Sequence, residues 1–311
     1  MVATMTQMVV SGVSTRKVSK VLETLCGSSI SKSAVSDLCK TLMKDVEAFR
    51  NRPLTRAYPF VTVDATYFKA WEKQRVISKA LLIATGTNEE GKREVMGFGV
   101  YPRESKDTRT EFLQSLQKRG LHGVLIITSD AHEGILHGIS RVFPDTSWQR
   151  CQFHFARNIA EKAPKKYQAG LRGELTGLFR CKSLSEARRR KTEIMEDYGD
   201  VAEKAMQILD EGFESAMTVM YLPESLRIFY RTSNHIERLN RELKRRSTVI
   251  GIFPDEESIL RLVGNVLIEQ HEGYQMKRAI FSPAVYQRLV SPELQRQLRV
   301  IAQEQQIWLA A

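Results

Sequence analysis

The chain of 311 residues is 42% hydrophobic and 27% charged, so it can bury a core, which excludes a wholly disordered protein. No apolar run approaches the roughly 20 residues needed to cross a bilayer, which excludes a membrane-spanning protein. Lys and Arg number 47 against 36 Asp and Glu, and the net charge of +11 favours a polyanion partner, nucleic acid first. Four cysteines and no signal-peptide pattern lead us to expect a cytoplasmic protein.

The first fifty residues are predicted to be helical. Helices over 14–25 and 31–43 flank a break at 26–29 that contains a glycine. This arrangement is typical of a DNA-binding helix-turn-helix, and we assign residues 1–50 to such a segment. A plain helical hairpin that packs on the next domain has the same periodicity, so both interpretations stay open.

After a polar linker at 50–56 the pattern changes to strands. Residues 59–68, 78–86 and 93–101 alternate or are rich in β-branched residues, and short loops join them. Three strands connected in this way indicate an antiparallel meander.

Helices and strands then alternate. A helix over 105–119, a buried strand at 123–128, a helix over 130–143 and a fifth strand over 147–155 complete the order βββαβαβ. Hairpin strands followed by alternating helix and strand predict an α/β fold with a mixed sheet covered by helices.

The following stretch, about 156–222, shows only helical patterning, with segregated charge. Residues 155–191 carry eleven Lys or Arg against three acids, whereas 192–224 carry one Lys against nine acids. Two solvated helix faces that pair with each other would explain this pattern. A basic face along a phosphate backbone would explain it as well. In that second case the DNA-binding residues are Lys165, Lys166, Arg188, Arg189 and Arg190.

Two aspartates mark a candidate site. Asp64 lies in mid-strand, where a carboxylate is costly unless it is paired or bound to a cation. Asp130 lies where a buried strand ends and a helix begins, and sites gather at such strand ends. If the first and fourth strands are neighbours, the two acids face one another and need a cation. Hard oxygen ligands select Mg²⁺, or Mn²⁺ in its place.

Glu237 is the candidate third ligand. Its helix continues through a cationic stripe, as a phosphodiester site would need: Arg238, Arg241, Lys244 and Arg245. Two metals about 4 Å apart could activate a hydroxyl and stabilise the leaving 3′ oxygen without a protein nucleophile.

Helix capping is the competing explanation for two of these acids. Asp130 with Glu133 fits a capping pair, and Asn234 with Glu237 fits a capping box. Asp64 has no such explanation. The three acids together, on this strand order, favour the metal site.

Several blocks of the sequence stand out by their residues, their order and their spacing. They are 12–18 (GVSTRKV), 31–36 (SKSAVS), 63–67 (VDATY), 128–134 (TSDAHEG), 148–158 (WQRCQFHFARN) and 232–246 (TSNHIERLNRELKRR). From about residue 8 to about 275, the chain resembles the mutator-type transposases of bacterial insertion sequences.

The resemblance implies an RNase H-like catalytic core with a DDE triad formed by Asp64, Asp130 and Glu237. The second and third acids are 107 residues apart, which in this family implies an all-helical insertion before the Glu. The implied division is a core over 57–155, the insertion over 156–228, the rest of the core over 229–275, and a helical tail over 276–311.

The resemblance also implies the reaction and the partners. The reaction is Mg²⁺-dependent cleavage at the ends of the element, followed by 3′-OH attack on a target phosphodiester. The partners are double-stranded DNA, as terminal inverted repeats and as target, and at least one further copy of the chain, since two ends are cut together. When bound to DNA, the protein is expected at the nucleoid.

Cys151 and His154 fall on the family's Cys-x-x-His motif. A structural zinc site needs four ligands, and the sequence has no second such pair at close spacing. We therefore interpret the pair as structural, holding the fifth strand against the insertion. His235, beside Glu237, is expected to be packed or solvated rather than in contact with phosphate.

One departure from the family leaves alternatives open. Members usually carry a further N-terminal segment that helps to bind the inverted repeats, and this chain begins almost directly at Gly12. A shortened copy could be a non-catalytic DNA-binding remnant that interferes with full-length transposase. A nuclease of RNase H type is the third interpretation, against which the long insertion and the basic helix argue.

Overall fold

The computed structural model describes residues 7–8, 10–13, 15–26, 32–102 and 107–309. In this part of the chain, one five-stranded sheet carries helices on both faces. Its strands are β1 (Phe60–Glu72), β2 (Arg75–Thr87), β3 (Arg93–Pro102), β4 (Ile126–Ser129) and β5 (Ser147–Arg150).

The helices lie before, between and after these strands. They are α1 (Thr15–Cys26), α2 (Lys32–Asn51), α3 (Asp107–Lys118), α4 (Glu133–Val142), α5 (Gln152–Lys162), α6 (Lys165–Leu178), α7 (Leu184–Tyr198), α8 (Glu203–Ala216), α9 (Glu224–Tyr230), α10 (Asn234–Ser247), α11 (Glu256–Met276), α12 (Pro283–Leu289) and α13 (Pro292–Leu309). None of the described helices is both long and apolar enough to cross a membrane.

The strand order is β3-β2-β1-β4-β5, which confirms the predicted mixed sheet and the order βββαβαβ. β1 pairs antiparallel with β2, and β2 with β3, whereas β4 lies parallel to both β1 and β5. The short strand β4 is buried along its whole length, as expected of a parallel strand between two others. The first and fourth strands are therefore neighbours.

The first hairpin is longer than predicted. β1 and β2 run on to a two-residue turn at Lys73 and Gln74, whose φ angles are 47° and 63°. Both central residues of this turn have positive φ, as in a type I′ hairpin turn, which matches the twist of the strands. The turn was hard to predict from sequence, because neither residue is a glycine, asparagine or aspartate.

The predicted fifth strand over 147–155 is wrong in its second half. The strand ends at Arg150, Cys151 takes the N-cap position, and α5 begins at the next residue. Phe155 and Ile159, one helical turn apart, are fully buried in the helical layer that follows. The apolar period therefore changes from strand to helix inside the motif that we interpreted as a strand.

Each face of the sheet has its own core. Val63 and Ile127 pack against α3 and α4 on one face. Leu81 and Ile83 pack against α10 and α11 on the other. The helices that cross the second face carry the candidate third ligand.

Helix α2 belongs to this second core. Val46 of α2 is fully buried, and it lies so close to Gly264 of α11 that a Cβ at the glycine would be 2.4 Å from Val46 Cγ1. Packing of this kind is what the helical-hairpin interpretation predicts. The break at 26–29 falls largely outside the described residues, and the DNA-binding role of 1–50 stays a prediction.

Helices α5 to α8 share a core that includes Leu171, Leu175, Leu209 and Phe213, which confirms the all-helical patterning of this stretch. The proposed domain limits at 156 and 228 stay predictions. The segregated charges meet in space, because basic residues of α7 contact acidic residues of α6 and α8.

Candidate functional site

Asp64 is buried within β1, with 6% of its surface exposed. The parallel pairing of β1 with β4 places Thr62 opposite Thr128. Continuing this register by two residues brings Asp64 and Asp130 to the same level. Asp130 follows the last residue of β4, Ser129, and its charge acts on Asp64, so the two carboxylates lie near one another. The predicted facing of the two aspartates follows from this register.

Asp130 comes directly after β4, and it does not cap α4. The cap is His132, whose Nδ1 accepts the N–H of Gly134 at 3.2 Å, so the predicted capping pair of Asp130 and Glu133 is wrong. Asp130 Oδ1 is buried and has no hydrogen-bond partner among the described residues. A buried carboxylate oxygen without a partner is costly unless a cation or water reaches it.

Glu237 lies in the first turn of α10, which begins at Asn234 with Ser233 as its N-cap residue. Glu237 is the fourth helical residue rather than the third, and its Oε1 accepts from Ser233 Oγ at 3.4 Å. The predicted capping box of Asn234 and Glu237 is therefore wrong. Its carboxylate lies near enough to Asp64 for its charge to act on that group.

Two hydrogen bonds hold α10 on the sheet. His235 Nε2 lies 2.7 Å from Thr85 Oγ1 of β2, and Asn240 Nδ2 donates to Asp64 Oδ2 at 2.8 Å. Burial lowers the pKa of His235 well below its ordinary value, so its imidazole is neutral. The expectation of a packed His235 is confirmed.

The carboxylates act on one another electrostatically. Burial, together with the charges of Asp130 and Glu237, raises the pKa of Asp64 to about 7, although His154 and a backbone N–H bond at Ala65 act in the opposite direction. Removing water from a carboxylate disfavours its charged form, and nearby like charges add to that effect. A divalent cation would relieve both costs.

Cys151 and His154 contact the start of α10 rather than only the insertion. The Cys151 sulfur lies 3.3 Å from Ser233 Oγ and accepts the Ser233 N–H at 3.4 Å. His154 Nε2 lies 3.6 Å from Glu237 Oε1. Gln149 and Gln152 join β5 and α5 to the insertion by hydrogen bonds, since both donate to one carbonyl in α8, that of Ala216.

These contacts bring three possible metal-ligating groups, of Cys151, His154 and Glu237, within 4.8 Å of one another. The hydrogen bond with Cys151 and the charges of Cys151, Asp64 and Glu237 raise the pKa of His154 to about 9. Burial acts in the opposite direction. A protonated imidazole has no lone pair for a metal, so His154 is better suited to hold Glu237 by charge. This supports the structural interpretation of the motif, with Glu237 as its partner.

The cationic stripe of α10 divides into two groups. Arg241 and Lys244 are exposed, follow Glu237 at helical spacings of four and seven, and have no carboxylate partner among the described residues. Arg245 instead binds Glu242 through two bonds of 2.7 Å. Arg238 lines a cavity on the other side of the helix. Arg241 and Lys244 are therefore best placed to meet a phosphate near the acids.

The basic residues of the insertion also divide into those that pair with an acid and those that do not. Arg188 makes two 3.0 Å bonds to Glu214, and Arg189 lies 3.7 Å from Glu193. Arg190 contacts Glu174 and Glu193. These ion pairs agree with the first explanation of the charge pattern, in which two helix faces pair with each other. The two remaining cations of the predicted set are exposed at the start of α6, namely Lys165 and Lys166.

Three residues of the site were not predicted: Asn240, Ser233 and Arg150. Asn240 follows Glu237 by three residues, and this spacing could have found it. Arg150 ends β5 beside β4, and the charge of Asp130 acts on its guanidinium. A Cβ at Gly212 would lie 2.4 Å from Arg150 Nη1 and 2.4 Å from Cε2 of the buried Phe155 ring, so the glycine makes room for both side chains.

Fold and site together define an α/β protein with three carboxylates over one face of a mixed sheet. Next to them lie cations that no acid neutralises among the described residues. Over residues 1–277 the sequence matches the family described as "Transposase, Mutator family". The chain belongs to the Mutator family of transposases.

Curated relatives agree with this assignment. The transposase for insertion sequence element IS256 in transposon Tn4001 of Staphylococcus aureus is 42% identical over 277 residues, which cover 88% of this chain and 71% of that protein. The transposase for ISRM5 of Rhizobium meliloti is 36% identical, over 88% and 69% of the two chains. The transposase for IS1081 of Mycobacterium tuberculosis is 38% identical, over 85% and 64%.

Proposed function

We propose that the protein is an insertion-sequence DNA transposase that cleaves element ends and joins them to target DNA. Asp64, Asp130 and Glu237 form its DDE triad on an RNase H-like core. One observation carries the proposal: two parallel neighbouring strands and one crossing helix direct three carboxylates, all remote in sequence, to the same place on the sheet.

The donor set fits a hard divalent cation. Carboxylate oxygens suit Mg²⁺ or Mn²⁺, and the unpartnered oxygen of Asp130 and the raised pKa of Asp64 both indicate missing positive charge. Bound to Asp64, Asp130 and Glu237, such an ion would activate the attacking hydroxyl and stabilise the leaving oxygen.

The chain's own residues hold the site and the DNA. Asn240 orients Asp64, and His154 with Ser233 orients Glu237. Arg241 and Lys244 bind phosphates beside the scissile group. In strand transfer, the 3′ hydroxyl of the element end gives up its proton, and its oxygen forms a new bond to a target phosphorus. The bond from that phosphorus to the target's own 3′ oxygen breaks, and that oxygen takes up a proton.

The partners follow from the reaction. The protein binds double-stranded DNA as element ends and as target, and at least two copies assemble to join two ends together. These assignments rest on the family and on the basic surface beside the acids.

The test is strand transfer in vitro. Protein, Mg²⁺ and pre-cleaved element-end DNA are mixed with a plasmid target, for wild type, Asp64→Asn, Glu237→Gln and the control Asp145→Asn, which changes an exposed acid outside the site. We expect joined product from wild type and control only. Equal joining by the Asp64 and Glu237 variants would refute the triad. Salt-sensitive DNA binding without any joining would instead indicate a DNA-binding remnant.

A further inference from the structure

A second cationic site lies on the other side of α10. A cavity of about 410 Å³ is lined by Arg93 of β3, Arg238 of α10, and Tyr274, Lys277 and Arg278 at the end of α11. In the sheet, Arg93 pairs with Thr87 and Thr87 with Phe60, which shares a face with Asp64. The cavity and the carboxylates therefore lie over the same face, separated by one helix about 10 Å wide.

Arg93 is the fixed part of this cavity. It is half-buried, and its guanidinium lies 5.9 Å from the centre of the Tyr274 ring. Burial lowers its pKa, and the nearby charge of Arg238 lowers it too. Among the described residues it has no carboxylate partner. A desolvated cation that faces another cation needs a negative charge from outside the chain.

Lys277 and Arg278 add further positive charge to the cavity without bringing an acid to balance it. Lys277 Nζ lies 5.3 Å from the centre of the same Tyr274 ring, and within the described residues neither Lys277 nor Arg278 pairs with an acid. The one acid in the cavity wall is Glu242, and it already binds Arg245 and Arg246. Glu242 therefore leaves the charge of the cavity uncompensated.

We propose that this cavity binds a backbone phosphate of DNA away from the phosphodiester that reacts at the carboxylates. Guanidinium groups match phosphate oxygens by paired hydrogen bonds, and Arg93, Arg238 and Lys277 surround the cavity from different elements. The proposal rests on the proposed function for the identity of the DNA. It extends the DNA path from the carboxylates across α10 to the end of α11.

The first measurement is the salt dependence of binding to a duplex of mixed sequence, in EDTA, so that no divalent-ion chemistry contributes. The variants are Arg93→Gln, Arg238→Gln and Lys277→Gln. The matched control is Arg296→Gln, which removes an exposed charge from α13, at the opposite end of the sheet. The plot of log affinity against log salt has a negative slope. For each phosphate that a variant no longer neutralises, this slope should become shallower by about 0.9.

Because one phosphate meets several cations, we expect each cavity variant to reduce the slope by up to about 0.9 and to weaken binding several-fold at about 0.1 M salt. The control should match wild type. Arg93→Gln should also keep or raise the melting temperature, because it removes a desolvated charge. Cavity variants that match the control in slope would overturn the proposal.

A second arm separates DNA from a small phosphate ligand. Inorganic phosphate is added to wild type and Arg238→Gln, and the melting temperatures are compared. A phosphate-dependent rise in wild type alone, with unchanged DNA slopes in the variants, would overturn the assignment to DNA. Reduced slopes in the cavity variants, together with failed strand transfer by wild type, would count against the proposed chemistry and support the cavity assignment.

Discussion

Asn240 donates a 2.8 Å hydrogen bond to the buried carboxylate of Asp64, and so joins α10 to β1 across 176 residues of sequence. The same helix carries Glu237, three residues earlier. The other amide atom of Asn240, Oδ1, is buried without a partner among the described residues. One helix therefore provides the third carboxylate and fixes the orientation of the first.

Asn240→Ala should lower the rate of strand transfer by about 10- to 100-fold, the usual effect of removing a residue that orients a metal ligand. The fold should survive, because a single half-buried side chain is shortened. The control is Asn265→Ala, also half-buried on a helix, whose side chain bonds only a carbonyl of its own helix, that of Arg261. Full Mg²⁺-dependent activity in Asn240→Ala would contradict the orienting role.

Asp64→Asn should stabilise the metal-free protein at pH 8. The pKa of Asp64 is about 7 in the folded protein and near 3.8 when unfolded. Below about pH 4 the group is protonated in both states. Between about pH 4 and 7 it ionises in the unfolded state alone, so folding stability falls as pH rises and then stays low.

At about 1.4 kcal/mol per pKa unit, the gain from Asp64→Asn at pH 8 should be roughly 2–4 kcal/mol, with little gain at pH 4. Urea unfolding in EDTA at both values measures it. A variant that is less stable than wild type at pH 8 would show that Asp64 stabilises the fold.

Mg²⁺ should raise the melting temperature of wild type at pH 8. An ion at about 100 times its dissociation constant adds about 2.7 kcal/mol, which is several degrees for a domain of this size. Asp130→Asn should abolish this rise, because it removes the charge on the unpartnered oxygen. Asp145→Asn should keep it. Equal Mg²⁺ effects in all three proteins would argue against a cation at these carboxylates.

Arg241→Gln and Arg188→Gln should differ in their effect on DNA binding. Arg241 has no acidic partner among the described residues, whereas Arg188 makes two bonds to Glu214. The salt slope should fall by about one for Arg241→Gln and stay unchanged for Arg188→Gln. Titration of a labelled duplex at several NaCl concentrations gives both slopes. A large change in the salt slope for Arg188→Gln would show that the basic face of the insertion contacts DNA.

Gly264→Ala should destabilise the protein by about 1–3 kcal/mol, because its Cβ would lie 2.4 Å from Val46 Cγ1. Adding Val46→Ala should recover part of this stability, so that the two changes are not additive. Thermal unfolding of the single and double variants measures the coupling. Gly173→Ala is the control, since its Cβ would meet nothing within 4 Å and should be neutral or stabilising.

Much of the fold could be predicted because the local hydrophobic periodicity indicates where helices and strands lie. The order of strands and helices around the first two acids follows from patterns only a few residues long. The second half of the fifth strand could not, because the change of period at Cys151 depends on a core formed by α5 to α8. The capping predictions at Asp130 and Glu237 also failed, because which residue caps a helix depends on where its first turn packs.

Local patterns along the chain predict the types of element, the basic character and the three candidate acids. Which groups surround those acids depends on how the strands and helices pack together. Only the parallel register of β1 with β4 brings Asp64 level with Asp130, and only the crossing of α10 brings Glu237 and Asn240 to them. The tertiary structure also decided which of the described cations remain unpaired, with Arg188 bound to an acid and Arg93 left without one. Charge pairing and burial depend on distances between elements far apart in the chain, and no local pattern fixes those distances.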